Sequence, residues 1–369
     1  MAEHEAGVTP WYSEEGECGD TVVSSRVRLA RNLANFPFPA YFKSDDFLRV
    51  QGLVFDAFGT IQNESPYHAI DCRVLDENGR RILEERGVLK TQRELQTRSL
   101  GSESGLVMST NGRLACAVNS GDHLRLSCFF TGLSVRSAHF ECGRIDSLLQ
   151  DKLQFVSSAE FGYLTSFFCD TGSGMKISAR IHIPSVFRAG RVSSLSEALA
   201  KSGLSLSPLF HFYSQINPAP AFFTVATKSA GSGTEIDQIA SFEAACRFIV
   251  ETENKIAAEF ADNKSMVVRN AVIRAYSAAK TSLLISYPEA LSMLSDLKFG
   301  KKIGHLQGID DGMFSGLLYR IQDGHLTYLM NNGNFTFEND LAANIQLKLD
   351  RLRAIIIQEA LSNVSLRNI

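Results

Sequence analysis

The chain has 369 residues, 44% apolar and 21% charged, which is enough to build two buried cores and too apolar for global disorder. A net charge of −3 excludes binding to nucleic acid through the overall field. No apolar run reaches the roughly 18 residues of a membrane span, and the acidic start Met1-Ala2-Glu3-His4-Glu5 lacks a signal-peptide stretch, so a soluble cytoplasmic protein with no nucleic-acid or membrane partner is expected.

In chain order, Thr21 to Leu29 alternates as a strand, and Phe47, Val50, Val54 and Phe58 have helical spacing. Asn111-Gly112 predicts a tight antiparallel hairpin leading into a strand over Leu114–Val118. His123–Leu126 and Lys176–Ile183 read as further strands, with a helix carrying Ile145, Leu148, Leu149 and Leu153 between them. After Gly231-Ser232-Gly233 the period changes. Thr234 followed by Asp237 predicts a capped helix N-terminus, continued through Ile236, Ile239, Phe242, Cys246, Ile249, Ile256 and Phe260, with Glu253 as one polar interruption. Further helices are expected over Val267–Leu284, from Pro288 to about Gly300, and from Glu338 to Leu361. The last has Leu341, Ile345, Leu349, Leu352, Ile355 and Ile356 on its buried side. The reading is α+β: a mixed domain over 20–232 and a helical one over 233–369.

The 7 cysteines are scattered without a C-x-x-C pair, so free thiols are expected rather than disulfides or a zinc site. The zinc-protease, hydrolase and P-loop signatures are absent. The cations are more informative. Residues two apart share a strand face, which groups Arg26 with Arg28, His123 with Arg125, and Lys176 with Arg180 and His182. Were those strands neighbours, they would form a basic floor suited to a polyphosphate, since arginine forks match phosphate oxygens. Otherwise each is an ordinary solvated face.

Ser24-Ser25-Arg26-Val27-Arg28-Leu29-Ala30-Arg31-Asn32 with Phe36-Pro37-Phe38-Pro39 resembles the opening of ATP:guanidino phosphotransferases, in the bacterial protein-arginine-kinase branch. Val118-Asn119-Ser120-Gly121-Asp122-His123-Leu124-Arg125 resembles their V-N-E-E-D-H-x-R. Residues 162–176 resemble G-Y-L-T-S-C-P-x-N-x-G-T-G-L-R, and His182-Ile183-Pro184 matches the H-[LI]-P that follows. The resemblance implies an antiparallel sheet flanked by helices, with a nucleotide held by Ser24, Arg26, Arg28, Arg125, Lys176 and Arg180, and Arg86 against the base. Magnesium would accompany ATP. It also implies a homodimer, a zinc-finger activator, a Clp-type unfoldase and a role in protein quality control. Leu349-Asp350-Arg351-Leu352-Arg353-Ala354 resembles a phosphoarginine-sensing R-D-x-x-R-A, which nominates Asp350 and Arg353.

The departures fall on the chemistry. Family members grip the acceptor guanidinium with two carboxylates, one of them the general base. Ser120 and Gly121 replace the first, and Ser207-Pro208-Leu209-Phe210-His211-Phe212 offers no second. Lys176 and Ser207 stand at family arginine positions, and Phe167 at the reactive cysteine, with Cys169 two residues on. Asp122 reads as a loop support and His211 as a packing residue. No catalytic residue and no metal ligand is nominated. The leading expectation is a pseudokinase that binds nucleotide and protein partners. The alternatives are an active arginine kinase and a ligand-free dimeric scaffold.

Overall fold

The computed structural model describes residues 10–43, 45–61, 66–90, 104–210, 220–230, 233–262 and 265–367. The acidic first residues, His211, Phe212 and Gly231-Ser232 lie outside them. The architecture is α+β. Its centre is an eight-stranded antiparallel sheet in the order β2-β3-β4-β5-β1-β8-β10-β9. The strands are β1 (Val22–Arg31), β2 (Tyr67–Asp71), β3 (Gly105–Ser109), β4 (Leu114–Val118), β5 (Leu124–Thr131), β8 (Met175–His182), β9 (Leu204–Pro208) and β10 (Phe222–Thr227). A two-residue ribbon, β6 (Ser157–Ser158) with β7 (Gly162–Tyr163), lies outside the sheet. The β3–β4 hairpin forms, but through four residues. Gly112 alone takes positive φ (70°) and its N–H donates to Ser109 O, whereas the two-residue turn needs positive φ at both central residues.

One face of the sheet carries the main core. Alternate residues Val27, Leu29, Leu126, Cys128, Ile177 and Ile181 are buried there against α1 (Asp46–Gly59) and α3 (Val135–Gln150). The long helix α6 (Glu235–Asp262) belongs to this same core through Ile239, Phe242, Cys246, Ile249 and Ile256. The change of sequence period at 233 therefore does not coincide with a change of core. The α6 N-terminus is the reciprocal cap expected of Thr234 and Asp237: Asp237 N–H donates to Thr234 Oγ1 at 3.2 Å, and Thr234 N–H to Asp237 at 3.0 Å. Glu253 interrupts the apolar stripe for a reason. Its buried carboxylate accepts from the Ser185 and Val186 N–H groups at 2.9 and 3.0 Å, at the start of α4 (Pro184–Arg188).

A second core begins with α7 (Met266–Thr281) and α8 (Tyr287–Lys302) and continues through α9 (Asp311–Arg320), α10 (Asp323–Asn332) and α11 (Ile345–Ala360). It rests on the opposite face of the sheet, where Phe222 joins it and the His182 ring meets Ser295 Oγ at 2.9 Å. The part of that second face which the helices leave uncovered stays open.

Two expectations are corrected here. The last helix starts at Ile345, not Glu338, because Asn344 caps it by accepting from Leu347 N–H. Its inward side is centred on Arg353, with Leu349, Leu352, Ile356 and Ile357 around it, so Ile355 falls on the flank and Ile345 protrudes from the first turn; both are exposed. Ile236, Leu283 and Leu284 are likewise exposed, whereas Ile239, Ile249, Leu352 and Ile356 are spent inside the chain.

Candidate functional site: a cation-floored cleft on the open sheet face

The open face is floored by the three strands whose adjacency decides between a basic floor and three unrelated surfaces. They are neighbours. β1 lies between β5 and β8, with Arg28 opposite Ser127 and Lys176, Arg26 opposite Phe129 and Ser178, and Ser24 opposite Arg180. The cleft above them measures about 670 Å³ and is lined by Ser24, Arg26, Arg28, Arg125, Arg180 and Lys90, together with Ser127 and Ser178. One wall comes from the segment after α2 (Glu77–Glu85), namely Gly87, Val88 and Leu89. The opposite wall is Pro208, Leu209 and Phe210, and Tyr287, Leu318 and Gln322 of the helical layer close one end.

The floor cations are held in place by specific contacts. Arg125 is bound through Nε and Nη2 to Asp122 at 3.1 and 2.9 Å. The fully buried Asp122 also accepts from Asn32 and from the Ser166 N–H, so it ties three loops together. Arg26 donates to Ser178 Oγ at 3.2 Å and lies over the Phe129 ring. Arg180 donates to the Tyr319 hydroxyl at 2.7 Å. Burial, with Arg125 and Arg26 close by, lowers Arg28 to about 9, so it remains charged at neutral pH but is destabilised by its own neighbours. Arg28 Nε and Arg125 Nη1 are buried without a hydrogen-bond partner among the described residues. What Arg28 and Arg125 offer an anion is their charge, since both residues line the cleft.

Not every nominated residue joins this cleft. Lys176 lies beside it and pairs with Asp170 at 2.5 Å. Arg86 lines a separate small hollow with Trp11, Met108 and Tyr319, reached past Val88 and Phe129. The two histidines of the alternating sets are not cations. His123 is buried, accepting from Leu33 N–H at Nδ1 (2.8 Å) and meeting Pro37 O at Nε2 (2.9 Å), and burial lowers it to about 4. His182 is pushed well below its ordinary value by burial and by Lys298 and Lys302.

Asp350 and Arg353 are in the second core and do not line the cleft. Arg353 is fully buried, and its guanidinium donates to Ile321 O, Ile285 O, Asp350 and Asp323. With four of its five N–H groups engaged in this way and no exposed surface, Arg353 is held here as part of the second core. Cys169 is exposed, with Sγ 3.6 Å from Lys176 Nζ. Gly174 of the glycine-rich stretch is required: at φ 66°, a Cβ would meet Ala30 O at 2.6 Å.

Several lining residues escape a reading by charge. Ser127 and Ser178 could have been found, because each stands two residues from a nominated cation. Lys90, Glu84 and Glu85 carry no alternating strand pattern, and only the tertiary fold brings them to the rim. Glu85 is occupied structurally, accepting from Gly324 N–H and Arg81.

An antiparallel sheet floored with arginines and walled by a helical layer presents a cationic cleft of a size and charge that suit an anion. Comparison with known proteins gives the lineage. The family described as ATP:guanido phosphotransferase, C-terminal catalytic domain, matches residues 49–256, and the Protein-arginine kinase McsB C-terminal domain matches 265–369. The chain belongs to the ATP:guanido phosphotransferase family.

Curated relatives include a protein-arginine kinase of Halothermothrix orenii, 28% identical over 331 residues, covering 90% of this chain and 93% of that one. Another, from Bacillus cereus (strain AH187), is 26% identical over 322 residues, covering 86% and 89%. Among solved structures, the duplicated taurocyamine kinase of Schistosoma mansoni with bound transition state analog components gives a TM-score of 0.57 at 18% identity, over 67% of this chain and 35% of that one. Lombricine kinase gives 0.57 at 13% identity, over 70% and 71%. At these identities the two structures speak for the fold alone. Among the described residues no helix is long and apolar enough to cross a membrane.

Proposed function

We propose that this protein is a protein-arginine-kinase-like pseudokinase, which binds a nucleotide or related polyphosphate in the cleft without transferring its phosphoryl group. The observation that carries the reading is the pairing of Arg28 and Arg125 in the cleft lining with Ser120, not an acid, at its lip. The floor carries charge for an anion, and Ser120 and Gly121 stand where the family resemblance expects the first acceptor-gripping carboxylate. Without the base the rate falls by about 10²–10⁴, and without the grip the acceptor is not positioned.

Magnesium would arrive on the nucleotide's own phosphate oxygens. Among the described residues no group of three His, Cys, Asp or Glu side chains is placed to hold a metal ion. A radiolabelled-ATP assay with free arginine, creatine and an arginine-rich protein as acceptors tests the reading, alongside calorimetry of Mg-ATP. Binding without transfer is expected. Transfer abolished by Arg125→Ala would overturn it.

A working kinase has one observation in its favour: Glu84 and Glu85 line the cleft, and burial raises Glu85 above the usual carboxylate range. Transfer lost on Glu85→Gln would establish that second reading. The proposal extends to a homodimer through the helical layer, supported by Met266, Val267, Leu283 and Ile345, which are exposed apolar side chains there. Light scattering on the full chain decides it. A zinc-finger activator and a Clp-type unfoldase are the partner classes proposed by kinship, to be tested by co-purification from cells.

A further inference from the structure

We propose that Asp170 is a resident anion at the inner end of the cleft, and that it selects a nucleoside diphosphate over a triphosphate. The inference rests on the nucleotide reading above and narrows its ligand class.

Asp170 is 1% exposed and sits on the short turn Phe168–Asp170, against the ends of the Arg28, Arg125 and Lys176 side chains. Its Oδ2 lies 3.4 Å from Arg28 Nη2 and 3.9 Å from Arg125 Nη2, and its Oδ1 lies 2.5 Å from Lys176 Nζ. One carboxylate thus meets three cations, of which Arg28 and Arg125 line the cleft and Lys176 lies beside it. Burial alone would raise this carboxyl, but Arg28 and Lys176 outweigh it and hold it below its ordinary value. It is therefore ionised at neutral pH. With Asp122 bound to the same Arg125, the inner end has three cations and two carboxylates, leaving one net positive charge.

The other end differs. Arg180 donates to the neutral hydroxyl of Tyr319, Arg26 to that of Ser178, and the apolar surface for a base, Val88 and Phe129, is also there. A phosphate chain entering from that side meets attraction first. A third phosphoryl group, carrying about −2 at neutral pH, would find only one net positive charge there, because Asp170 and Asp122 offset two of the three cations. Asp170 cannot swing aside, being enclosed and tied to Lys176. A diphosphate stops short of it and still meets Arg26, Arg180 and Lys90 of the cleft lining.

The test is calorimetry of the full chain, Asp170→Asn and Asp170→Ser with Mg-ADP, Mg-ATP, pyrophosphate and tripolyphosphate, with melting curves to confirm folding. Native protein should bind ADP at least as tightly as ATP, and both variants should gain about tenfold in ATP affinity relative to ADP. ATP preferred by about tenfold in the native chain, or an unchanged ratio in folded variants, overturns the inference and leaves nucleotide binding intact. The native ratio decides the matter alone if neither variant folds. Should nucleotides fail while tripolyphosphate gains over pyrophosphate in the variants, the inference stands and the nucleotide reading falls. No binding of any probe by any of the proteins defeats both.

Discussion

Arg353 and Arg125 are both buried arginines held by an aspartate three residues earlier in the chain, Asp350 and Asp122, yet they do opposite things. Arg353 meets four acceptors, two of them backbone carbonyls, and closes the gap where α11, α10 and the loop before α8 converge. Arg125 leaves Nη1 unmatched and lines a cleft of about 670 Å³. The difference teaches that burial of an arginine does not mark a function. What separates the two is the space beside them: Arg125 lines a cleft and Arg353 does not. By that criterion the helical layer holds a structural knot and the sheet face holds a site.

The largest effect should come from breaking the knot. Arg353→Met leaves Asp350, Asp323 and two carbonyls short of a donor, which costs about 3–5 kcal/mol. Thermal melting should fall steeply, and with it the second core that Leu352 and Ile357 share. A variant that melts normally and loses only phosphoarginine binding would reverse the assignment of this arginine.

A smaller loss separates the two regions by pH. His123 anchors the loop beside the cleft, and its Nδ1 already faces the Leu33 N–H, so a second ring proton has no acceptor. Its folded value is lowered to about 4 against 6.5 unfolded, so its contribution is intact above pH 6.5 and shrinks as pH falls towards 4. The slope is about 1.4 kcal/mol per pH unit for one group. Asp170, also lowered, loses its contribution only below the ordinary carboxylate range. Between those limits imidazoles govern the loss, and melting of His123→Gln across that window should show a slope shallower by about one proton.

Arg28→Ala probes the site itself. Arg28 is repelled by Arg125 and Arg26, and Asp170 keeps Lys176 when it is removed, so stability should change by about 1 kcal/mol or less. Nucleotide affinity should fall about tenfold, the worth of one charge-assisted contact. A large stability loss with unchanged affinity would make Arg28 a second Arg353.

The sequence reveals these two regions unequally. Alternation puts Arg26 and Arg28 on one face, and the order of motifs gives the family, but whether β1, β5 and β8 touch is a property of strand order that no local pattern carries. The histidines misled because period two gives a residue's face and not its depth. His182 points to the same side as Lys176 and Arg180, yet lies where the second core covers the sheet. Arg353 misled for the converse reason. A helical charge pattern reads as a solvated or binding face, and only the positions of the Ile285 and Ile321 carbonyls, contributed by other segments, make it the centre of a buried one. Asp170 was invisible because its weight comes from three cations on three strands.

Ionic strength gives the finest discrimination. Raising salt from about 0.1 M to about 1 M shortens the screening length from about 10 Å to about 3 Å. The cleft is open to ions, and its net positive charge is what draws an anion in, so affinity for Mg-ADP should decline by about three- to tenfold over that range. In the knot Arg353 is 0% exposed and its partners Asp323 and Asp350 only 14% and 12%, so screening reaches it weakly. Melting temperature should therefore stay within a few degrees while affinity drops. Parallel calorimetric and melting series check this. If both quantities moved together, the two arginine clusters would be one electrostatic system, and the cleft beside Arg125 would not set it apart from Arg353.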